Sequence, residues 1–451
     1  MKKLLALILA SIIAASALLV SCENKTDAEP ENSSTDAVYS EEKVEKSEIT
    51  SADGSFVFDL LENGTARITS YLSDKEEKLE IPSVIDGYTV SEIGKNCFEA
   101  HTELKNVIVP DSVTRIFPYA FSKCSALYGI VLSDSIQHLE EGTFSECSSL
   151  FEIQLPKELQ TVDEGAFYSC RALETLSLPA SLTAIGDYAF FTCTALREIN
   201  IPEGTVSVGS YAFGACEKIE AFDLPSTLSS VGEYAFTQCI SVKEITLPEK
   251  ITSLPKGLFT NCTALLSFEC SSSVTEIGDG GFYCCSGLEK VTISESVTKI
   301  GEYAFCGCSS LLNVTVPSSV VYLGEYAFSA CHALKNAKLS DKLETVPAYT
   351  FASCEELTSV TLPPKCKEIC QSAFVSCSSL TSIVIPDTVE LIGDAAFAAC
   401  SSLSSVTLSD KVEQINNNAF TDTAEDIVFI CPSGSFAEEY ASSFGFNYKN
   451  S

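Results

Sequence analysis

Tryptophan is absent from this 451-residue chain, methionine stands only at position 1, and histidine occurs three times, at His101, His138 and His332. The three histidines do not cluster, so each reads as a surface or structural residue and not as part of a metal centre or proton relay. A glycine-rich phosphate loop, an HExxH pair and a GxSxG elbow are also missing. No enzyme is expected, and no cofactor or catalytic set is read from the chain. Positive charge is scarce: 28 Lys and Arg stand against 61 Asp and Glu, a net charge of -33. Such a field repels nucleic-acid backbones and anionic lipid, which excludes both as partners by charge.

What is present begins at the N-terminus. Residues 1–20 read MKKLLALILASIIAASALLV, two lysines and then an apolar run too short for a stable membrane span, in the order of a bacterial secretion signal. The run closes on Leu19-Val20-Ser21-Cys22, which resembles the lipobox of bacterial lipoproteins. That resemblance implies removal of residues 1–21 and lipid attachment at Cys22, with the membrane touched only through the lipid. Residues 22–48 are rich in acids, Ser, Asn and Thr and poor in bulky apolar groups, the composition of a flexible, self-repelling tether.

Beyond this, Phe98 starts a series that recurs every 23 residues without a miss to Phe420, fifteen hits in register. A fixed short period means a solenoid, whose units bury their apolar faces only against neighbours. Each unit follows Leu-x-x-Val-x-Leu-Pro, then Val-x-x-Ile-Gly-x-x-Ala-Phe-x-x-Cys. The first half alternates and is β-branched, as a short strand is, and Pro ends it because it cannot continue a ladder. Glycines at the next corner, such as Gly186, Gly232, Gly301 and Gly393, read as positions needing a backbone conformation that a side chain hinders. Ala-Phe-x-x-Cys is too short for a full helix and reads as a helical turn that lays Phe inward. Stacked at about 4.8 Å, fifteen units span about 70 Å. Residues 49–90 are expected to form an N-terminal β cap, with two strands around Glu62-Asn63-Gly64; residues 91–423 hold the repeats. Residues 424–451 form a C-terminal cap of strand, short helix and extended tail.

Of 21 cysteines, thirteen stand three residues after the repeated Phe, from Cys124 to Cys400. Equivalent side chains of adjacent coils point in parallel at about 4.8 Å, whereas a disulfide wants Cβ atoms about 3.8 Å apart and converging. They are therefore expected to stay thiols, packing as small hydrophobes and reaching a backbone carbonyl at the turn into the next strand. Cys284, Cys285, Cys306 and Cys308 crowd into neighbouring coils, but two of them belong to the inward ladder and no CxxC pair is present, which argues against zinc. Cys97 and Cys431 lie near the caps.

The repeat resembles the BspA-like class of leucine-rich repeats over about residues 91–423. The resemblance implies a leucine-rich repeat solenoid: a right-handed, curved β-solenoid with a parallel concave β-sheet and short helical or 3-10 turns on the convex side. It also implies surface proteins that attach to host matrix or to other bacteria. The varying outward strand positions are then the natural binding face. Tyr128 and Phe151, each one residue after its unit's leading Leu, read either as exposed aromatic anchors or as ordinary lateral packing between strands, with Arg197, Lys243 and Lys338 adding positive charge. The resulting expectation is a monomeric adhesion or recognition lipoprotein binding a protein or other macromolecule. The alternative is a structural envelope component without a defined ligand, favoured by the Thr-rich outward column of the C-terminal half.

Overall fold

The computed structural model describes residues 42–451 except position 74; the expected signal peptide and Cys22 lie outside the described residues. Residues 44–451 form one compact unit, a parallel-sheet solenoid. From Asn106 onward its inner face follows the 23-residue period without slippage. Asn106–Ile108 pairs in parallel with Gly129–Val131, which pairs with Glu152–Gln154, each residue opposite its equivalent one unit on. The same register holds at the far end, where Ser405–Thr407 meets residues 428–430. Alternation puts the middle residue of each strand inward and its neighbours outward.

A second parallel ladder was not legible in the pattern. Two-residue strands such as Arg115–Ile116, His138–Leu139 and Thr161–Val162 follow the corner, which is Pro in most coils and Ser in the rest, as at Ser133. Two residues are too few to show alternation. The corners behave as expected: the Pro carbonyl accepts from the amide three residues on, as from Val113 to Pro110 at 3.0 Å and from Val389 to Pro386 at 3.0 Å.

The stretch around the repeated Phe is not a helical turn. In every coil the residue two after Phe has a left-handed φ, from Ala100 and Lys123 to Ala399 and Asp422, and the residue two before Phe does so in nearly all. These conformations cost an L-residue about 1–2 kcal/mol each. They recur because they aim amides along the solenoid axis: Lys123 N donates to Ser145 O at 2.7 Å, and Phe121 N to Thr143 O at 3.0 Å. A helix would spend those donors within its own coil, leaving the neighbouring coil's carbonyls unmatched. The corner glycines need a different account too. Gly186, Gly232, Gly301 and Gly393 have no positive φ. A Cβ at Gly186 would fall 2.7 Å from the backbone of Asp163, and one at Gly232 would fall 2.3 Å from Ser210 N. Close approach between coils is what excludes a side chain there.

The core is one continuous column. Rings of Phe98 to Phe420 stack coil upon coil, with neighbouring centroids between 4.9 Å (Phe98 and Phe121) and 6.0 Å (Phe236 and Phe259). Beside them all thirteen ladder thiols are fully buried. Each donates to the carbonyl of the Phe one coil back, as Cys124 Sγ to Phe98 O at 3.0 Å and Cys400 Sγ to Phe374 O at 3.1 Å. The carbonyl partner was expected; its place, in the preceding coil's Phe turn and not at the turn into the next strand, was not.

At the N-terminus β1 (Val44–Thr50), β2 (Phe56–Leu61) and β3 (Ala66–Tyr71) form an antiparallel cap, with β2 and β3 joined at Glu62-Asn63-Gly64 as expected. β1 begins inside the stretch read as tether. It is almost wholly exposed and held by backbone pairing to β2, so composition gave no sign of it. The concave sheet likewise starts inside the expected cap, at Lys78–Glu80. β3 is tied to the first coil by a buried ion pair, Arg67 to Glu92, and a second, part-buried pair, Arg115 to Glu140, links the next two coils, both at 2.6 Å. The two guanidinium groups lie over the Phe117 ring at 4.3 and 3.9 Å.

At the C-terminus Val428–Cys431 extends the concave sheet, α1 (Phe436–Phe444) follows, and Asn447–Asn450 returns as a parallel strand on Val428–Cys431. Ser435 caps α1 by accepting from Glu438 N, and Gly445 closes it at φ 75°. Among the described residues no helix is long and apolar enough to cross a membrane.

Candidate ligand-binding face

Three outward columns run along the concave sheet: the residue after the leading Leu, and the two outward residues of each strand. Near the N-terminal end the first and third of these turn apolar together, while the middle one reads Asn106, Gly129, Glu152. Tyr128 and Phe151 are 44% and 39% exposed and stack at 5.4 Å with planes 17° apart. Their backbones are fixed by the ladder, Tyr128 N donating to Lys105 O and Phe151 N to Tyr128 O. On the strand beside them Ile108 and Val131 stand opposite each other, 45% and 57% exposed. Gly129, which carries no side chain, lies between. Phe151, Ile108, Val131 and Gly129 line a shallow groove of about 850 Å³ that also takes in Lys78, Glu80 and Gln154, with Tyr128 stacked on Phe151 beside it. An apolar floor with stacked aromatics and a charged rim is the anatomy of a macromolecular contact.

Arg197 and Lys243 stand in the same column as Tyr128 and Phe151, but each reaches back one coil to an acid. Arg197 Nε lies 3.9 Å from Glu174, and Lys243 Nζ lies 2.7 Å from Glu220, whose carboxyl that hydrogen bond holds below the usual range. Lys338 is in the column of Val131, nine coils away or about 43 Å, and has no ion-pair partner among the described residues. Of the five residues singled out, then, only Tyr128 and Phe151 come together. Ile108 and Val131 were missed as part of the patch. The signal was a pair of apolar residues one period apart in a column that is otherwise mostly polar.

No catalytic arrangement offers itself beside them. His101 packs its ring 5.3 Å from Tyr71, and His332 is exposed with Nδ1 3.7 Å from Glu355. His138 is half-buried with Nδ1 2.9 Å from Thr161 Oγ1, and burial lowers its pKa. Cys284 is half-buried and Cys306 buried, while Cys285 and Cys308 point their thiols at Phe259 O and Phe282 O. Among the described residues no group of three or more His, Cys, Asp or Glu is placed to hold a metal ion. Cys97 and Cys431 are buried free thiols.

The profile described as "BspA type Leucine rich repeat region (6 copies)" matches residues 71–197, 183–312 and 298–425. The chain belongs to the BspA-type leucine-rich repeat family. Among solved structures, a leucine-rich repeat protein from Bacteroides ovatus is 25% identical with a TM-score of 0.63, covering 88% of this chain and 98% of that one. A leucine-rich cell surface protein from Faecalibacterium prausnitzii is 24% identical with a TM-score of 0.49, covering 87% and 97%. The pneumococcal vaccine antigen PcpA is 16% identical with a TM-score of 0.47, covering 90% and 98%. No curated protein matches this BspA-type chain.

Proposed function

We propose that this leucine-rich repeat protein is a non-catalytic, lipid-anchored surface module that binds a protein ligand through the N-terminal part of its concave sheet, with attachment to host matrix as its use. The observation that carries the reading is the exposed cluster of Tyr128, Phe151, Ile108 and Val131 on a face that is otherwise mostly polar and charged. Solvent-exposed apolar groups held rigid by a β-ladder lose little entropy on binding, which is what an anchor requires. The family, whose members serve mainly as protein-binding scaffolds, supports the reading at the coarse level. In this reading Cys22 carries the lipid, the acidic residues after it space the solenoid from the membrane, and the protein acts as a monomer.

Adhesion of cells carrying the protein to immobilised host matrix tests it. Tyr128→Ala combined with Phe151→Ala is expected to weaken binding at least about tenfold, since two anchors at about 1–2 kcal/mol each are lost. Lys338→Ala, far along the sheet, leaves it unchanged. Binding indifferent to every concave substitution rejects the reading. The Thr-rich outward column from Thr292 to Thr407 favours a second one, an envelope component without a ligand. Changed cell morphology with unchanged adhesion after removal of residues 44–451 identifies that case. Protease added to intact cells must cut the solenoid for the host-binding reading to stand.

A further inference from the structure

From Asn106 onward the register holds, but the bonds that tie coil to coil lapse around one coil. Beside the second ladder, the residue at the glycine corner and the residue three before it each donate one coil back. Gly232 N reaches Val208 O at 2.8 Å and Ser229 N reaches Val206 O at 3.0 Å; further on, Gly278 N reaches Leu254 O and Thr275 N reaches Thr252 O, both at 2.9 Å. At the step between them the corner is Pro255, which has no amide hydrogen to give Val231 O. Thr252 N makes no bond to Ser229 O, and Ser230–Val231 does not pair with Ser253–Leu254. Toward its other neighbour this coil loses the concave pairing instead, since Glu244–Ile245 is not paired with Ser267–Glu269. Among the described residues it is the one coil that lacks a ladder toward each neighbour. The core is looser at the same place. Phe236 stands 5.9 Å from Phe213 and 6.0 Å from Phe259, the widest spacings in the column, and the planes of Phe259 and Phe282 are 32° apart where other consecutive rings stay within 24°. Phe222 and Phe268, in the coils on either side, take an inward strand position that Val, Ile, Leu or Ala fills in the other repeats. Their rings lie 4.6 Å from Phe236 and 5.6 Å from Phe259, so the neighbours are overfilled and cannot close on the coil between them.

We propose that residues 242–264 form a hinge, about which residues 44–241 and 265–451 swing as two stiffer arms. The third ladder, along the Phe turns, supplies the axis because it is whole on both sides of this coil. Tyr234 N donates to Lys256 O at 2.9 Å and Gln238 N to Thr260 O at 2.7 Å; Gly257 N donates to Asp279 O at 2.8 Å and Asn261 N to Tyr283 O at 2.7 Å. Bonds kept along one edge and missing along the others permit rotation about the kept edge, and local opening concentrates where such bonds are few. Pro347 shows what a corner proline does alone. It too breaks the second ladder, between Tyr322–Leu323 and Thr345–Val346, but Asn336–Lys338 stays paired with the concave strands on both sides. That coil is therefore held. Swinging at residues 242–264 changes the curvature of the concave sheet, which lets the face open and close on partners of different girth. The aromatic groove lies wholly on the first arm, so the hinge does not depend on what the groove binds.

Hydrogen exchange of the full chain, read by mass spectrometry, tests the hinge. Strand amides of residues 242–264 are expected to exchange at least about tenfold faster than those of residues 288–310, a coil that both ladders join to both neighbours. Pro255→Gly, which returns a donor opposite Val231, is expected to remove most of that difference, while Pro347→Gly leaves residues 242–264 unchanged. Bending itself is read by energy transfer between dyes on unnatural side chains at Gln160 and Glu390, exposed residues ten coils or about 48 Å apart on the two arms. Their distance distribution is expected to be broad, and at least about twofold narrower in Pro255→Gly. Dyes at Thr275 and Glu413, both on the second arm, are expected to give a narrow distribution in either protein. Equal protection of residues 242–264 and 288–310, or a distribution between the arms no broader than the one within an arm, overturns the proposal. So does a broad distribution that Pro255→Gly leaves as it was.

Discussion

At the residue scale the cysteine ladder decides how the protein responds to pH. Burial disfavours the thiolate, pushing Cys193 and Cys262 up to about 12 from an ordinary 9.0, and most other ladder thiols go up as well. The unfolded chain releases those protons near 9 while the folded chain keeps them. The ladder's contribution is therefore complete below the ordinary thiol pKa and is lost as pH rises through it. Each thiol costs up to about 1.4 kcal/mol per pH unit, so the losses compound along the ladder. The denaturant midpoint is expected to be flat from pH 7 to about 8.5 and to collapse above about 9, with Cys239→Ala making the fall shallower. A midpoint unchanged to pH 11 would show the thiols to be accessible in the fold. The ladder was legible from its period alone. The left-handed residues beside it were not, because Lys123, Glu146, Thr192 and Gln238 carry none of the Gly or Asn signature of that conformation. Their backbone is set by the neighbouring coil's carbonyls, not by their own preference.

At the element scale the N-terminal cap depends on a sandwich of Arg67, Phe117 and Arg115 pinned by Glu92 and Glu140. Removing one partner of a buried pair strands the other charge, at a cost of about 3–5 kcal/mol. Arg67→Met is accordingly expected to free β1–β3 before the rest unfolds, seen as amide exchange in residues 44–71 becoming fast while the Phe98–Phe420 column stays protected. Exchange accelerating together in the cap and in the column would mean that the cap and the coils melt as one. The three-residue strands, the Pro corners and the helix at Phe436–Phe444 were readable, since each leaves a local mark: alternation, a missing amide, an apolar stripe. The two-residue ladder and polar β1 left none. The site was half legible. Tyr128 and Phe151 are aromatic and one period apart, which forces them together. The acids that occupy Arg197 and Lys243 also stand one period away, at Glu174 and Glu220, a sign present in the sequence and open to the same reasoning.

For the molecule as a whole, each coil is stabilised by two neighbours, and the terminal coils have only one. The C-terminal cap stands in for the missing coil, laying Phe429 and Tyr440 against the last ring of the column, Phe420. Truncation after Asp426 bares that ring and the edge of Ser405–Thr407. The shortened protein is expected to self-associate in a concentration-dependent way by light scattering, with the loss of Tm concentrated in the last coils. A monodisperse, equally stable product would mean that the final repeat closes the solenoid unaided.

The unbroken 23-residue register carries one more consequence. Any two coils present interchangeable joints, so unequal crossover between in-phase stretches of the gene inserts or deletes a complete storey and leaves no mismatched seam. How far the protein reaches is thereby a quantity that inheritance can alter in single steps, while the apolar groove near its base is passed on unchanged.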